Sequence, residues 1–126
     1  MTAEYVLITG SNGEIGQSLI EYLCTHTDKQ VIALDISPAK QEMEKYCHKY
    51  IQGNILDEQL LRQIFDEYQF STIFHLASLL STRAEQVPAL AQKVNVHGTF
   101  NILELAVNQF SATHQATKFI YPSSIA

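Results

Sequence analysis

An α/β domain on a parallel sheet is what this sequence predicts, and three observations carry the prediction. Short β-branched apolar runs alternate with longer stretches of helical period, the runs show little polar alternation, and a glycine-rich turn separates the first run from the first helical stretch. Runs apolar at nearly every position suit strands covered on both faces, and connections of helix length suit parallel crossovers.

Tyr5-Val6-Leu7-Ile8-Thr9 reads as the first strand, stopped by Gly10. From Glu14 the period changes, with Ile15, Leu19, Ile20 and Leu23 sharing a helix face. Val31-Ile32-Ala33-Leu34-Asp35 is the second strand. Ser37-Pro38 follows as an N-cap residue before a first-turn proline, which predicts a short helix from Pro38 to about Tyr46. Tyr50-Ile51-Gln52 is a third strand ending at Gly53, and Asp57 caps a helix whose Leu60, Leu61, Ile64, Phe65 and Tyr68 share a face. Thr72-Ile73-Phe74-His75-Leu76 is the fourth strand. Thr82-Arg83-Ala84-Glu85 has capping-box spacing, and a long helix is predicted from Pro88 to about Phe110, burying Leu90, Val94, Gly98, Ile102, Ala106 and Phe110. Lys118-Phe119-Ile120-Tyr121, closed by Pro122, is the fifth strand. With right-handed crossovers this alternation gives a Rossmann-like doubly wound parallel sheet of strand order 3-2-1-4-5. A flavodoxin-like order 2-1-3-4-5 shares the alternation, and only site chemistry separates the two.

The chain has 126 residues, 46% hydrophobic and 17% charged, the composition of one ordinary globular domain with core enough to need no disulfide or metal staple. Eight Lys/Arg against thirteen Asp/Glu leave a charge of −5, with the basic residues scattered, which argues against a nucleic-acid or anionic-membrane surface. No apolar run reaches membrane-spanning length and the N-terminus has no basic signal region, so a cytoplasmic protein is expected. Cys24 and Cys47 form no CxxC pair and read as reduced thiols used as small hydrophobes. His26, His48, His75, His97 and His114 show no ligand spacing, so no metal is expected, and His75 reads as a satisfied core histidine.

Gly10-Ser11-Asn12-Gly13-Glu14-Ile15-Gly16 is a GxxGxxG loop between a strand and an amphipathic helix. Glycine there permits positive φ, close backbone approach to a pyrophosphate and tight helix packing, while the free N–H groups of the helix start face the phosphates. Gly10, Asn12, Gly13, Glu14, Ile15 and Gly16 are therefore candidate cofactor-binding residues, with the Glu14 carboxylate turned to solvent. Asp35, 19 residues beyond Gly16, can accept hydrogen bonds from an adenosine ribose, with Ile36 beside it. Its charge repels a 2′-phosphate and no Arg follows, so NAD is expected over NADP. Asn54 and Ile55 are candidates for the adenine edge and face, although Asn beside Gly also reads as a plain turn.

Thr9-Gly10 with this loop, Asp35, His75-Leu76-Ala77-Ser78, the segment from Val94 to Asn101, and Tyr121-Pro122-Ser123-Ser124 together resemble the extended short-chain dehydrogenase/reductase family, the NAD-dependent epimerases and dehydratases. The resemblance spans essentially the whole chain. Leu79-Leu80-Ser81, Ala84-Glu85, the run from Pro122 to Ala126 and the polar Glu14 are most similar to short-chain-type L-threonine 3-dehydrogenases. His75-Leu76-Ala77 and the Asn-x-x-Gly-Thr segment are equally at home in nucleotide-sugar epimerases.

The resemblance implies NAD as cofactor and hydride transfer between nicotinamide and an alcohol carbon of a small-molecule substrate, an amino-acid alcohol or a nucleotide sugar. It places Leu76, Ala77 and Ser78 beside the cofactor, has Asn95 help position it, and gives Ser124 the hydrogen bond to the substrate oxygen, with Ser123 its neighbour. Ser81 is an implied substrate contact, and a homodimer is implied for the full-length protein. The family acts through a downstream Tyr-x-x-x-Lys pair, and none of Tyr5, Tyr22, Tyr46, Tyr50, Tyr68 and Tyr121 has Lys four positions on. The expectation is that residues 1–126 are the N-terminal NAD-binding portion of a longer chain, truncated before the last strands and a C-terminal substrate domain, inactive by itself and with its last strand edge unpaired. A non-catalytic dinucleotide-binding sensor is the alternative.

Overall fold

Successive residues of a strand point to opposite faces of its sheet, and in this chain both faces are covered. In the computed structural model, which describes residues 3–40, 42–77 and 88–122, Val6, Ile8, Val31 and Ala33 enter one apolar cluster while Leu7, Ile32 and Leu34 enter another. That is why β1 (Tyr5–Thr9) and β2 (Gln30–Asp35) are apolar without alternation. The first cluster is closed by Ile20 and Leu23 of α1 (Glu14–His26). The second is closed by Leu61, Ile64 and Phe65 of α2 (Glu58–Glu67) and by Ile102 and Ala106 of a later helix.

β3 (Lys49–Gln52), β4 (Phe70–His75) and β5 (Lys118–Ile120) complete a five-stranded parallel sheet of order β3-β2-β1-β4-β5, the Rossmann-like order expected. The chain winds outward from β1 in one direction through β3, then returns to β1's other side with β4. The crevice opened by that reversal lies at the carboxyl ends of β1 and β4. Asp57 caps α2, its Oδ1 accepting from the Leu60 N–H at 3.1 Å.

Four local readings need correction. Among the described residues from Pro38 to Tyr46 no α-helix is present, and the helical structure there is a 3-10 turn over Met43–Tyr46. The carbonyls of Ser37 and Pro38, which a first helical turn would use, accept instead from Tyr50 Oη and Asn12 Nδ2, both at 2.6 Å. Ile15 is 66% exposed, because the first turn of α1 overlies the loop at Ser11 instead of a strand. Cys24 is exposed, whereas Cys47 is half-buried with its thiol pushed up to about 11, by burial first and then by Cys24.

The long helix is interrupted. α3 (Pro88–Gln92) passes through a π-helical turn (Lys93–Gly98) into α4 (Thr99–Thr113), which ends at His114 in the left-handed region, φ +60°. Phe110 is 48% exposed and Leu90 also reaches solvent, contrary to the predicted stripe. Residues spaced strictly by four drift about 40° per step around a helix of 3.6 residues per turn, so six of them cannot share a face. The capping-box segment at Thr82 to Glu85 lies outside the described residues.

Candidate functional site

The loop between β1 and α1 begins at Gly10, whose φ of +66° is the conformation glycine adopts without strain. A Cβ there would stand 2.7 Å from the Ala77 nitrogen, so only glycine lets the loop pass the end of β4. A Cβ on Gly16 would meet the Ser11 carbonyl oxygen at 2.6 Å, which makes Gly16 the close contact between helix and loop. Gly13 differs, because its Cβ would touch only the Gly10 oxygen at an ordinary 3.5 Å. Packing does not demand glycine at Gly13, and the space beside it is open.

Gly13 is also the N-cap of α1 and makes no side-chain capping bond, so the first-turn N–H groups receive no help from a cap. The contrast with the Asp57-capped α2 is direct. Glu14 and Ile15 at this helix start are exposed, Glu14 as expected.

Asp35, at the end of β2, accepts two backbone hydrogen bonds at 2.9 Å, Oδ2 from the Asn12 N–H and Oδ1 from the Ser37 N–H. Ser37 therefore closes a turn on Asp35 and caps no helix. The Asn12 side chain is spent on the Pro38 carbonyl and its own carbonyl accepts from Gln17 at 2.7 Å, so Asn12 ties the loop to its surroundings.

An apolar cleft of about 350 Å³ opens beside these residues. Gly10, Asp35, Ile36, Asn54, Ile55 and Ala77 line it, six of the predicted cofactor residues drawn from four separate segments. Asn12, Gly13, Glu14, Ile15, Gly16, Leu76 and Asn95 do not line it. Ser78, Ser81, Ser123 and Ser124 lie outside the described residues. Asn54 makes a turn, its Oδ1 accepting from the Leu56 N–H at 2.9 Å, and the residue also forms part of the cleft wall. Leu34, Gly53, Leu90 and Val94 complete the lining and were not anticipated as site residues. Leu90 and Val94 carried the signal of a helix stripe, which does not distinguish a core from a cleft wall.

Below the cleft His75 is fully buried, as a satisfied core histidine should be. Its Nδ1 lies 2.6 Å from Thr9 Oγ1 and its Nε2 lies 2.9 Å from Thr99 Oγ1. The single Thr99 hydroxyl proton goes to the Asn95 carbonyl at 2.7 Å, so Thr99 accepts from His75, whose proton sits on Nε2. Nδ1 is then the acceptor for Thr9, and Thr9 accepts in turn from the Ala77 N–H at 3.2 Å. This directed chain joins the wall residue Ala77 to the π-turn that carries Asn95. Burial lowers the His75 pKa to about 4, so the ring is neutral at physiological pH. Among the described residues no group of three His, Cys, Asp or Glu side chains gathers to hold a metal, and no helix is long and apolar enough to cross a membrane.

Comparison with known proteins agrees with this geometry. Residues 6–126 match the NAD dependent epimerase/dehydratase family. The inactive L-threonine 3-dehydrogenase, mitochondrial, of Homo sapiens is 32% identical over 120 residues, covering 95% of this chain and 50% of its own length. The dTDP-glucose 4,6-dehydratase of Haemophilus influenzae is 31% identical over 123 residues, covering 90% of this chain and 36% of its own length. Among solved structures, the L-threonine dehydrogenase of Clostridium difficile superposes with a TM-score of 0.84 at 33% identity, over 100% of this chain and 38% of that one. The chain thus spans half or less of the length of these proteins.

Proposed function

Because the chain belongs to the NAD dependent epimerase/dehydratase family, we propose that its cleft holds the adenosine half of NAD and that its β1–α1 loop holds the pyrophosphate. The carrying observation is the open space at Gly13, at an uncapped helix start, with the Asp35 carboxylate at the neighbouring strand end. These residues fit the dinucleotide. The first-turn N–H groups face the phosphates, Asp35 accepts from the ribose hydroxyls, and the apolar walls at Ile36, Ile55 and Val94 take the adenine.

Bound NAD supplies the hydride acceptor for an alcohol carbon. In the proposed reaction Ser124, with Ser123 beside it, donates a hydrogen bond to the substrate oxygen, Ser81 contacts substrate, and Ser78 and Asn95 help position the cofactor. Residues 1–126 are proposed to be the NAD-binding part of a longer protein, since its relatives extend well beyond the matched region. An amino-acid alcohol of the L-threonine type is the proposed substrate, supported by a structural match that covers all of this chain and 38% of an L-threonine dehydrogenase. A nucleotide sugar is the second reading, supported by the similarity to dTDP-glucose 4,6-dehydratase.

Fluorescence titration of the chain with NADH tests the binding proposal, with saturable quenching expected. No binding at millimolar NADH overturns it. Assay of the longer protein with NAD and either L-threonine or dTDP-glucose separates the two substrates, and turnover of neither despite NADH binding favours a non-catalytic sensor.

A further inference from the structure

The segment that follows Asp35 is held by every one of its first three carbonyls. Ile36 O accepts from Gln52 Nε2 at 3.3 Å, Ser37 O from Tyr50 Oη at 2.6 Å, and Pro38 O from Asn12 Nδ2 at 2.6 Å. Two donors come from the edge strand β3 and the third from the phosphate loop, so the turn is tied on both flanks. Ser37 is held at each end of its backbone, its carbonyl by Tyr50 and its N–H by Asp35 Oδ1. The Asn12 N–H fixes the other carboxylate oxygen at 2.9 Å. The orientation of Asp35 therefore depends on side chains that do not line the cleft.

We infer that Tyr50, Gln52 and Asn12 are positioning residues for cofactor choice, holding the turn after Asp35 so that its charge stays fixed where a 2′-phosphate would sit. The inference rests on the dinucleotide reading of the cleft and deepens it. Repulsion between a carboxylate and a phosphate falls with distance and with solvent between them, so discrimination against NADP needs a carboxylate that cannot swing away. A free turn would let Asp35 rotate toward water. The clamp removes that freedom before the ligand arrives, which is preorganisation in the sense that lowers the ordering cost of binding. Tyr50 suits the task, because a phenol is a donor at neutral pH, and burial and then the Asp35 charge raise its pKa from there.

The test measures dissociation constants of the chain for NADH and for NADPH, in the wild type and in Tyr50→Phe, Gln52→Met and the double variant, with hydrogen exchange at the Ser37 amide as a second readout. Tyr50→Phe removes one oxygen and keeps the ring, and Gln52 is exposed, so the single Gln52→Met variant folds even where the tyrosine change does not. In Tyr50→Phe, loss of one hydrogen bond is expected to lower the preference for NADH over NADPH by about three- to tenfold, with a larger fall in the double variant. Faster exchange of the Ser37 amide should accompany it. Wild-type binding of NADH with an unchanged preference in Tyr50→Phe and the double variant overturns the inference and leaves the dinucleotide reading standing. In a Tyr50→Phe that fails to fold, an unchanged preference in Gln52→Met overturns it. Failure of the wild type to bind either cofactor overturns both.

Discussion

At His75 the hydroxyl protons of Thr9 and Thr99 decide which ring nitrogen carries hydrogen, and the answer is a neutral ring whose pKa burial lowers to about 4. An unfolded histidine titrates near 6.5, so below that pH the unfolded chain binds a proton that the folded chain refuses. Stability from this residue is intact at neutral pH and is lost as pH falls from about 6.5 toward about 4. Between pH 7 and pH 5 the loss is roughly 2 kcal/mol. His75→Gln keeps a donor toward Thr99 and does not titrate, so its urea denaturation midpoint should move less between those pH values than the wild type's. Equal movement would sink the assignment. The glycines separate by the same residue-level reasoning. Gly10→Ala is expected to destabilise by more than about 1 kcal/mol, since it combines a left-handed backbone with a clash. Gly13→Ala should leave stability within about 0.5 kcal/mol yet weaken NADH binding at least tenfold, because its Cβ occupies space that only a ligand would use. Thermal melting and NADH titration of both variants check this pair.

Among the elements, α4 is anchored by a residue the sequence does not advertise. Gln109 Nε2 donates to the Phe65 and Tyr68 carbonyls at 3.2 and 2.8 Å, and its Oε1 accepts from the Phe70 N–H at 3.0 Å. One amide thus satisfies the C-terminal end of α2 and the start of β4. Gln109→Leu should cost about 2–4 kcal/mol, measured by urea denaturation, because three backbone groups lose their partner where water reaches them poorly. A polar residue on a helix gives no sign of such partners, whereas Asp57 before its apolar run did signal a cap. The missing helix after Ser37 has a related cause. Its local cues, serine before proline, are sound, but Asn12 and Tyr50 arrive from distant positions and take the carbonyls the helix would have used. The π-turn at Lys93–Gly98 is equally invisible to periodicity, and its Asn95 carbonyl accepts from Thr99, the α4 residue that meets His75 of β4.

For the whole molecule, the outer face of the long helix is unusually apolar. Phe100, Leu103, Val107 and Phe110 recur at spacings of three and four along α4, with Phe100 62% and Val107 61% exposed, and Val96 lies one turn before them. This 3-4 repeat is the pattern of a helix seam, and it is a surface that the homodimer implied by the family resemblance would bury. Sedimentation of Val107→Lys should show a smaller species than the wild type, and a wild type that is monomeric at 100-fold dilution and at high concentration alike would remove the basis for the dimer.

The five-strand alternation, the GxxGxxG loop, Asp35 and the neighbouring Asn54-Ile55 pair were determined by the sequence alone. Strand runs, turn glycines and caps are local, each set by side chains within a few positions of one another. Gly53, Leu90 and Val94 in the cleft wall, the bond directions around His75, the Gln109 anchor and the clamp on Ser37 were decided only in three dimensions. Each of these joins groups from separate parts of the chain, and a hydrogen bond between residues 13 to 68 positions apart leaves no period in the chain. The sheet order sets which ends meet, so the polar bonds that shape the site exist only once the strands have paired.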